Sequence, residues 1–273
     1  MAPDPTRLAR GELARDLVTL GLRPGDHLGL GVSLRAIGRI EGGAPTLTRA
    51  LLHVVGSSGT IMIPTYTRWY LPAEIDDPRK RTSVFDPATS PSYTGAMAET
   101  VRLRPDAVRS RHPTNSVAAV GSMAGYLTRG HDHRAPAYEP FSRLGEISGK
   151  LLYIGLGDHM VGMRHQAQHL AGLLAAAEMV CGAEFVDQEG RIRRFVRRDR
   201  GGCTTRLPEL VPELRQRGHT RDGRVGNAFA SLSDALEALQ VTADLLRADP
   251  RRNLCNDAAC EWCRAVEQNL GLG

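Results

Sequence analysis

The chain has 273 residues, of which 41% are hydrophobic, so it can bury the core of an α/β domain. Its net charge of +5 comes from scattered basic residues, nearly all arginine, without a helix-turn-helix, zinc-finger or RNA-binding signature. We therefore expect no nucleic-acid partner, because a phosphorylated small molecule explains the same charge. The first ten residues lack the apolar core of a signal peptide, and no apolar run approaches the roughly 20 residues of a membrane span. We expect a cytoplasmic protein that does not contact a membrane.

The first part of the chain alternates between helix and strand patterns. Leucines recur at helical spacing over residues 7–20, and residues 27–33 (HLGLGVS) are typical of a buried strand. A second helix is predicted over 47–55 and a second strand over 60–64 (TIMIP). Strand, helix and strand in this order form a βαβ unit. The polar, proline-rich residues 65–94 that follow predict a long functional loop.

The second part of the chain continues the alternation and ends in a cysteine-containing tail. Its predicted elements are a helix at 95–104, strands at 116–120 and 150–155, a long helix at 165–180, a hairpin at 184–199 and a helix at 232–249. The pattern predicts the α/β class, with a central mixed β-sheet flanked by helices. We assign residues 1–249 to a single domain and residues 250–273 to a tail packed on it.

Six segments of the chain resemble the aminoglycoside 3-N-acetyltransferase family, in the family's order and over nearly the whole length. They are VSLRAIGRIEGG (32–43), GTIMIPTYT (59–67), FDPATSPSYTG (85–95), RSRHPTNSVAAVG (109–121), GKLLYIGLG (149–157) and HQAQHLA (165–171). The resemblance implies an antibiotic N-acetyltransferase-like fold. It also implies transfer of an acetyl or other acyl group from CoA to an amine of a small molecule, such as an antibiotic or a biosynthetic intermediate. A homodimer is a further implication of the resemblance.

The cofactor site is expected at the turn that follows the first predicted strand. From the residues alone, a strand, a glycine-rich turn and a helix either cradle a phosphate or form an ordinary connection. The resemblance implies that this turn and the block at 111–116 bind acetyl-CoA or another acyl-CoA, through Ser33, Leu34, Arg35, Gly38, His112 and Ser116.

His165 is the candidate general base, because acyl transfer to an amine requires a group that takes up a proton near neutral pH. The resemblance matches it to the family's catalytic histidine, and the family's glutamate three residues later is Gln168 here. Spacing i, i+3 puts both on one helix face, where a glutamine can only hydrogen-bond. We therefore expect a less basic His165 and slower chemistry, unless Asp158 or Glu178 replaces the glutamate. The family's threonine three residues before the histidine is Gly162 here.

The acceptor site departs further from the family pattern. Aminoglycosides are polycations, and parts of the family present an acid-x-Asp motif to them, which aligns here with Arg197 and Asp199. An arginine facing a polycation costs binding energy, so a neutral or anionic amine is favoured. The candidate substrate contacts are Asp199, Arg197, Glu178 and Asp158. Alternatively, the arginines of the hairpin are a solvated face.

Three cysteines lie close together near the C-terminus, at Cys255, Cys260 and Cys263, and Cys203 could supply a fourth thiol. Four thiolates around zinc form a closed structural site. The alternative is a set of reduced thiols without a metal, which a cytoplasmic protein also tolerates. Cys181 lies in an apolar stretch and is expected in the core.

Two other functions fit the same residues. One keeps the fold but takes the acyl group from an acidic acyl carrier protein, or hydrolyses a thioester or amide with His165 activating water. The other is a non-catalytic ligand-binding protein, suggested by Gln168, Gly162 and Arg197 in place of family residues. Retained ligand affinity without turnover would identify the second.

Overall fold

A seven-stranded mixed sheet forms the centre of the protein, in a computed structural model that describes residues 7–158 and 162–272. The strands are β1 (His27–Val32), β2 (Thr60–Pro64), β3 (Val84–Phe85), β4 (Val108–Arg109), β5 (Val117–Gly121), β6 (Lys150–Ile154), β7 (Cys181–Val186), β8 (Ile192–Arg197), β9 (Thr220–Val225) and β10 (Ala228–Asp234). The central sheet has the order β4-β5-β2-β1-β6-β10-β9, and β3, β7 and β8 form a separate three-stranded sheet.

Helices cover both faces of the central sheet. They are α1 (Arg10–Leu20), α2 (Leu34–Ile37), α3 (Ala44–Val55), α4 (Pro72–Asp76), α5 (Ala96–Arg102), α6 (Ala124–Thr128), α7 (Glu139–Glu146), α8 (Met163–Leu170), α9 (Leu173–Ala177), α10 (Val211–Gln216), α11 (Ala235–Ala248) and α12 (Glu261–Asn269), with 3₁₀ turns at Leu207–Leu210 and Pro250–Asn253. Among the described helices, none has the length and apolar character needed to cross a bilayer.

The side chains of the central strands alternate between two hydrophobic cores. On β2, Ile61 and Ile63 join the core beneath α1, α3 and α5, whereas Met62 joins the core on the opposite face. Strands that are buried on both faces have continuous apolar sequences rather than alternating ones, and for this reason the run TIMIP predicts a strand. The predicted fold class, a mixed sheet flanked by helices, is confirmed.

One edge of the central sheet collects the loops that were predicted to be functional. Strands β1, β2 and β6 are parallel, so the segments after Val32, Pro64 and Ile154 leave the sheet at the same edge. Strand β5 is antiparallel to β2 and pairs Val117 with Pro64, which places Ser116 at this edge as well. We call this side of the sheet, where the carboxyl ends of the three parallel strands lie, the carboxyl edge. Ligands of open α/β sheets bind at such an edge.

Three predicted elements are corrected. The long helix at 165–180 is two helices, α8 and α9, because Gly172 adopts a left-handed conformation with φ of 79° between them. The helix at 232–249 begins only at Ala235, since the preceding residues belong to β10. The loop at 65–94 contains α4 and β3, and β3 pairs in parallel with β7 of the predicted hairpin.

Candidate active site

His165 lies on α8 and is held by Gln168 one turn later. The Nδ1 atom of His165 is 2.8 Å from Oε1 of Gln168. Gln168 is fully buried, and its Nε2 donates to the backbone carbonyl of Cys203 at 2.8 Å and to Oδ1 of Asn253 at 2.9 Å. The predicted i, i+3 pair is therefore a direct hydrogen bond.

The Cys203 carbonyl fixes the direction of this chain of hydrogen bonds. A carbonyl only accepts, so the NH₂ group of Gln168 must face it and Oε1 must face the histidine. Nδ1 of His165 then carries the hydrogen and donates a hydrogen bond to Oε1 of Gln168. In the part of the chain that the structure describes, Nε2 of His165 makes no hydrogen bond. The neutral imidazole thus keeps the lone pair that a general base requires on Nε2.

Burial and two nearby arginines keep His165 in its neutral form. Burial is the largest influence and lowers the pKa to about 4; the bond to Gln168 raises it, whereas Arg197 and Arg164 lower it. The ring of Tyr138 lies against the imidazole with centroids 4.9 Å apart. At neutral pH the imidazole of His165 is therefore unprotonated.

Neither acidic residue that was considered as a replacement for the family's glutamate lies at His165 Nδ1. Asp158 binds Arg215 through both carboxylate oxygens, at 2.6 and 3.1 Å. Glu178 is exposed at the end of α9. The oxygen within hydrogen-bond distance of Nδ1 is that of Gln168, so neither alternative acid occupies this position. The predicted contact of Asp158 and Glu178 with substrate stays a prediction.

We expect Gln168→Glu to destabilise the protein by about 1–3 kcal/mol, because a carboxylate oxygen would replace a buried donor that faces the Cys203 carbonyl. Chemical denaturation measures the change. Gln240→Glu on α11 is the control, since that side chain is exposed and a carboxylate there stays in water. Equal stability of Gln168→Glu and the parent would contradict this hydrogen-bond direction.

Two glycines allow the backbone to pack closely around His165. Gly162, where the family has threonine, has φ of 90°, and a Cβ atom there would collide with the ring of Phe141. A Cβ atom on Gly201 would lie 2.8 Å from the His165 ring and would also meet the Tyr138 hydroxyl. The ring of Phe141 therefore leaves no room at position 162 for the threonine that the family has there.

Arg197 points into the protein, which excludes a solvated role for this arginine. Its side chain is 8% exposed, and its Nη1 lies 3.5 Å from Oδ1 of Asp199. Its guanidinium lies 5.9 Å from the centre of the Tyr138 ring, and its Nε donates to Sγ of Cys181. Burial opposes its charge, but Tyr138, Cys181 and Asp199 together raise its pKa. The alternative of a solvated face fits the exposed arginines at 193, 194 and 198.

The turn at the carboxyl end of β1 holds four of the residues predicted to bind the cofactor, and their contact with it stays a prediction. Ser33 and Leu34 are half-buried, and Arg35 is exposed on the short helix α2. Within the described residues, Arg35 makes no hydrogen bond or ion pair. Gly38 has φ of 105°, and a Cβ atom there would press on the Asn227 side chain, so its freedom serves the fold of the turn. An unpaired arginine fits a phosphate group.

The other two predicted cofactor residues are fully buried. His112 accepts backbone N–H bonds at Nδ1 from Thr114 and Asn115, at 3.3 and 3.0 Å. Ser116 donates to the Thr65 carbonyl at 2.9 Å and accepts from Arg109. Both hold the 111–116 block at the carboxyl edge, and their contact with a cofactor stays a prediction.

Acid is expected to destabilise this part of the structure. His112 stacks on His131 with ring centres 4.9 Å apart, and burial lowers the pKa of His112 well below its usual value and that of His131 to about 3. Their stabilising effect is complete above pH 6.5 and is lost as the pH falls, because only the unfolded chain then takes up the protons.

The free energy of unfolding should fall by about 2–3 kcal/mol per pH unit near pH 5 as a result of these two histidines. Urea denaturation between pH 7 and pH 5 measures the slope. His131→Asn should reduce the slope by about 1.4 kcal/mol per pH unit. A stability that does not change with pH over this range would contradict the burial of neutral imidazoles.

The four predicted metal ligands converge although Cys203 is far from the others in sequence. The sulfur atoms of Cys203, Cys255, Cys260 and Cys263 all lie within 4.8 Å of one another, and none is in a disulfide. Cys181 is buried in β7, as expected.

The sequence did not identify Tyr138, Asn253 or Gly201 as parts of the site. Tyr138 precedes α7 and carries no motif, and only the fold brings it to His165. Asn253 lies two residues before Cys255, and Gly201 lies two residues before Cys203. Their closeness in sequence to the predicted metal ligands was the one signal that could have indicated them.

Comparisons with known proteins identify the family of the chain. The sequence profile described as aminoglycoside 3-N-acetyltransferase matches residues 30–247. Aminoglycoside N(3)-acetyltransferase VII of Streptomyces paromomycinus is 33% identical, covering 85% of this chain and 89% of its own length. Aminoglycoside N(3)-acetyltransferase III of Serratia marcescens is 34% identical, covering 82% and 91%.

Solved structures of acetyltransferases share the fold. The crystal structure of aminoglycoside acetyltransferase AAC(3)-Xa superimposes with a TM-score of 0.75 at 28% identity, covering 88% of this chain and 93% of the other. The binary complex of AAC-IIIb with CoASH gives a TM-score of 0.73 at 27% identity, covering 88% and 97%. The chain therefore belongs to the aminoglycoside 3-N-acetyltransferase family and is an acetyl-CoA-dependent N-acetyltransferase.

Proposed function

We propose that this enzyme acetylates an amine of an amino-sugar compound directly from acetyl-CoA, with His165 as the general base. The observation that carries the proposal is the hydrogen-bond chain from Cys203 through Gln168 to Nδ1, which leaves the lone pair of His165 on Nε2. The acceptor class follows the names of the relatives, which are aminoglycoside acetyltransferases.

In the proposed reaction, the amine nitrogen attacks the thioester carbonyl carbon while Nε2 of His165 takes a proton from that nitrogen. The carbon–sulfur bond then breaks and the electron pair leaves with the CoA sulfur, which recovers the proton from the imidazolium. The low pKa of His165, about 4, makes it a weak base at neutral pH but a strong acid for this last step. No group of the enzyme becomes covalently acylated.

The donor is proposed to bind along the carboxyl edge of the sheet. Arg35 offers an exposed, unpaired guanidinium for a phosphate of acetyl-CoA, and Ser33 and Leu34 line the same turn. The described segment after Ile154 leaves the sheet at the same edge, and the helix that carries His165 follows it in the sequence.

The buried charge of Arg197 favours an acceptor with few positive charges beside the reacting amine. Only Asp199 lies within ion-pair distance of Arg197 in the part of the chain described, so one acid is already engaged by the protein's own cation. A polycationic aminoglycoside would meet this arginine near the base, and like charges weaken binding. An amino sugar that is neutral or anionic elsewhere meets no such penalty.

The proposal is tested by mixing the enzyme with acetyl-CoA and a panel of amines, including aminoglycosides and anionic amino sugars, and by following release of the CoA thiol. Thiol release that requires an amine supports it. Release without any amine indicates hydrolysis, and tight acetyl-CoA binding without release indicates the non-catalytic alternative. Turnover with an acylated carrier protein but not with acetyl-CoA would overturn the assignment of the donor.

Arg197→Gln is expected to raise kcat/KM for polycationic aminoglycosides by about tenfold, since removing a nearby like charge is worth on the order of 1–2 kcal/mol. The rate with an anionic acceptor should fall. Arg198→Gln is the control, because that side chain is next to Arg197 in the sequence and is exposed. Equal changes for cationic and anionic acceptors would contradict an electrostatic role.

A further inference from the structure

The arrangement of the four cysteines fits one tetrahedral metal ion. Zinc–sulfur bonds of about 2.3 Å place the sulfurs of a tetrathiolate roughly 3.8 Å apart. Here the four Sγ atoms lie within 4.8 Å of one another, and those of Cys255 and Cys263 are 3.5 Å apart. A separation of 3.5 Å is too long for a disulfide bond, which is about 2.05 Å.

Hydrogen-bonding groups and a helix N-terminus surround the sulfurs. The backbone N–H of Cys255 donates to Sγ of Cys263 at 3.3 Å, and Sγ of Cys203 lies 3.3 Å from the hydroxyl of Thr205. Cys260 caps the N-terminus of α12 and Cys263 lies in its first turn, where the helix dipole stabilises negative charge. Such contacts to ligand sulfur are typical of the outer shell of a metal site.

The cluster also joins two segments that are far apart in the sequence and that share no helix or sheet. Cys203 follows β8 in an irregular stretch. Cys255 and Cys260 lie between the last 3₁₀ turn and α12, and Cys263 lies in the first turn of α12. Both acceptors that hold the Gln168 NH₂ group come from these two segments, namely the carbonyl of Cys203 and the side chain of Asn253. Asn253 precedes Cys255 by two residues.

We propose that Cys203, Cys255, Cys260 and Cys263 bind a structural Zn²⁺, and that this ion positions Gln168, and through it His165, by fixing the two segments that hold the glutamine amide. Zinc selects four thiolates in a closed tetrahedral site, so the ion itself takes no part in the chemistry. Gln168 and Asn253 are then positioning residues, and the tail becomes part of the active-site framework.

The metal is tested first, without reference to activity. The full chain, purified without added metal, should contain about one zinc per molecule by elemental analysis, as a closed tetrathiolate site requires. Cys260→Ser should lose most of this zinc, and serine is a favourable residue at the N-cap position of α12. Cys181→Ser is the control for metal content, because Cys181 lies outside the cluster.

A second measurement covers a Cys260→Ser variant that fails to fold. Wild-type protein stripped with a chelator and refilled with Co²⁺ should show the thiolate-to-cobalt charge-transfer and tetrahedral ligand-field bands of a tetrathiolate. Metal-free protein that takes up neither Zn²⁺ nor Co²⁺ would overturn the proposal. A disulfide between Cys255 and Cys263 in freshly purified protein would overturn it as well.

The positioning role rests on the proposed function and is tested separately. Removal of zinc should lower kcat about tenfold while KM for acetyl-CoA changes less than about twofold, because small misplacements of a base slow the chemical step. Zinc added back should restore kcat. An unchanged kcat after zinc removal would disprove positioning but not the metal site, and a zinc-loaded enzyme without turnover would count against the proposed function alone.

Discussion

Replacing His165 with alanine is expected to lower kcat for amine acetylation by about 10²- to 10⁴-fold, the usual contribution of a positioned general base. The loss follows from the geometry of α8. Nδ1 of His165 is committed to Gln168, and Nε2 carries the lone pair in a buried setting that keeps the ring neutral. Release of the CoA thiol in the presence of a saturating amine measures the effect.

Two comparisons separate loss of the base from loss of the fold. His169→Ala removes another histidine from the same helix, near its exposed end, and should keep kcat within about twofold of the parent, as surface substitutions do. Acetyl-CoA binding by His165→Ala should be unchanged, because the imidazole contributes to the chemical step rather than to the turn at Ser33. Turnover at the parent rate in His165→Ala would exclude this base.

The pH dependence of the parent enzyme gives a further check on the same residue. Because the pKa of His165 is about 4, the imidazole stays neutral throughout pH 5 to 8. We therefore expect protonation of His165 to lower kcat/KM only as the pH approaches 4. The acid instability expected from His112 and His131 sets in earlier, so rates below pH 6 must be measured before unfolding occurs.

The parts of the fold that the sequence predicted are those in which local pattern and burial agree. TIMIP is buried on both faces and is strand β2 with the predicted bounds. Strand β10 was missed, because its sequence AFASLSD runs without a break into the periodic pattern of α11. Its buried Ser231 and Ser233 pair with neighbouring strands, and buried serines do not mark a strand in the sequence.

The active site was predictable only where one residue carries its own motif. His165 and Gln168 share a helical turn, so their contact followed from spacing. The inward orientation of Arg197 did not follow from the sequence. The alternation of side chains along β8 gives the same pattern whether the strand lies at a free edge of the sheet or is covered. Tyr138 and Asn253 reach the site through long-range packing that a single sequence does not record.

Gly202→Ala is expected to destabilise the protein by at least about 1–3 kcal/mol, the usual cost of inserting a group into a filled core. A Cβ atom on Gly202 would overlap the indole ring of Trp262, which is 4% exposed and packed in the core under the tail. Thermal and urea denaturation measure the loss. Gly125→Ala in α6 is the control, since nothing lies within 4 Å of a Cβ atom there.

The same variant tests whether the tail and the active site act as one unit. A Cβ atom on Gly201 would meet His165 and one on Gly202 would meet Trp262, while the Cys203 carbonyl accepts a hydrogen bond from Gln168. A displacement by the new methyl group should therefore lower kcat as well as stability. Adding Trp262→Leu to Gly202→Ala relieves the overlap and should recover part of both losses, because contacting residues are energetically coupled. Additive effects of the two substitutions would contradict the contact and would separate the tail from the catalytic framework.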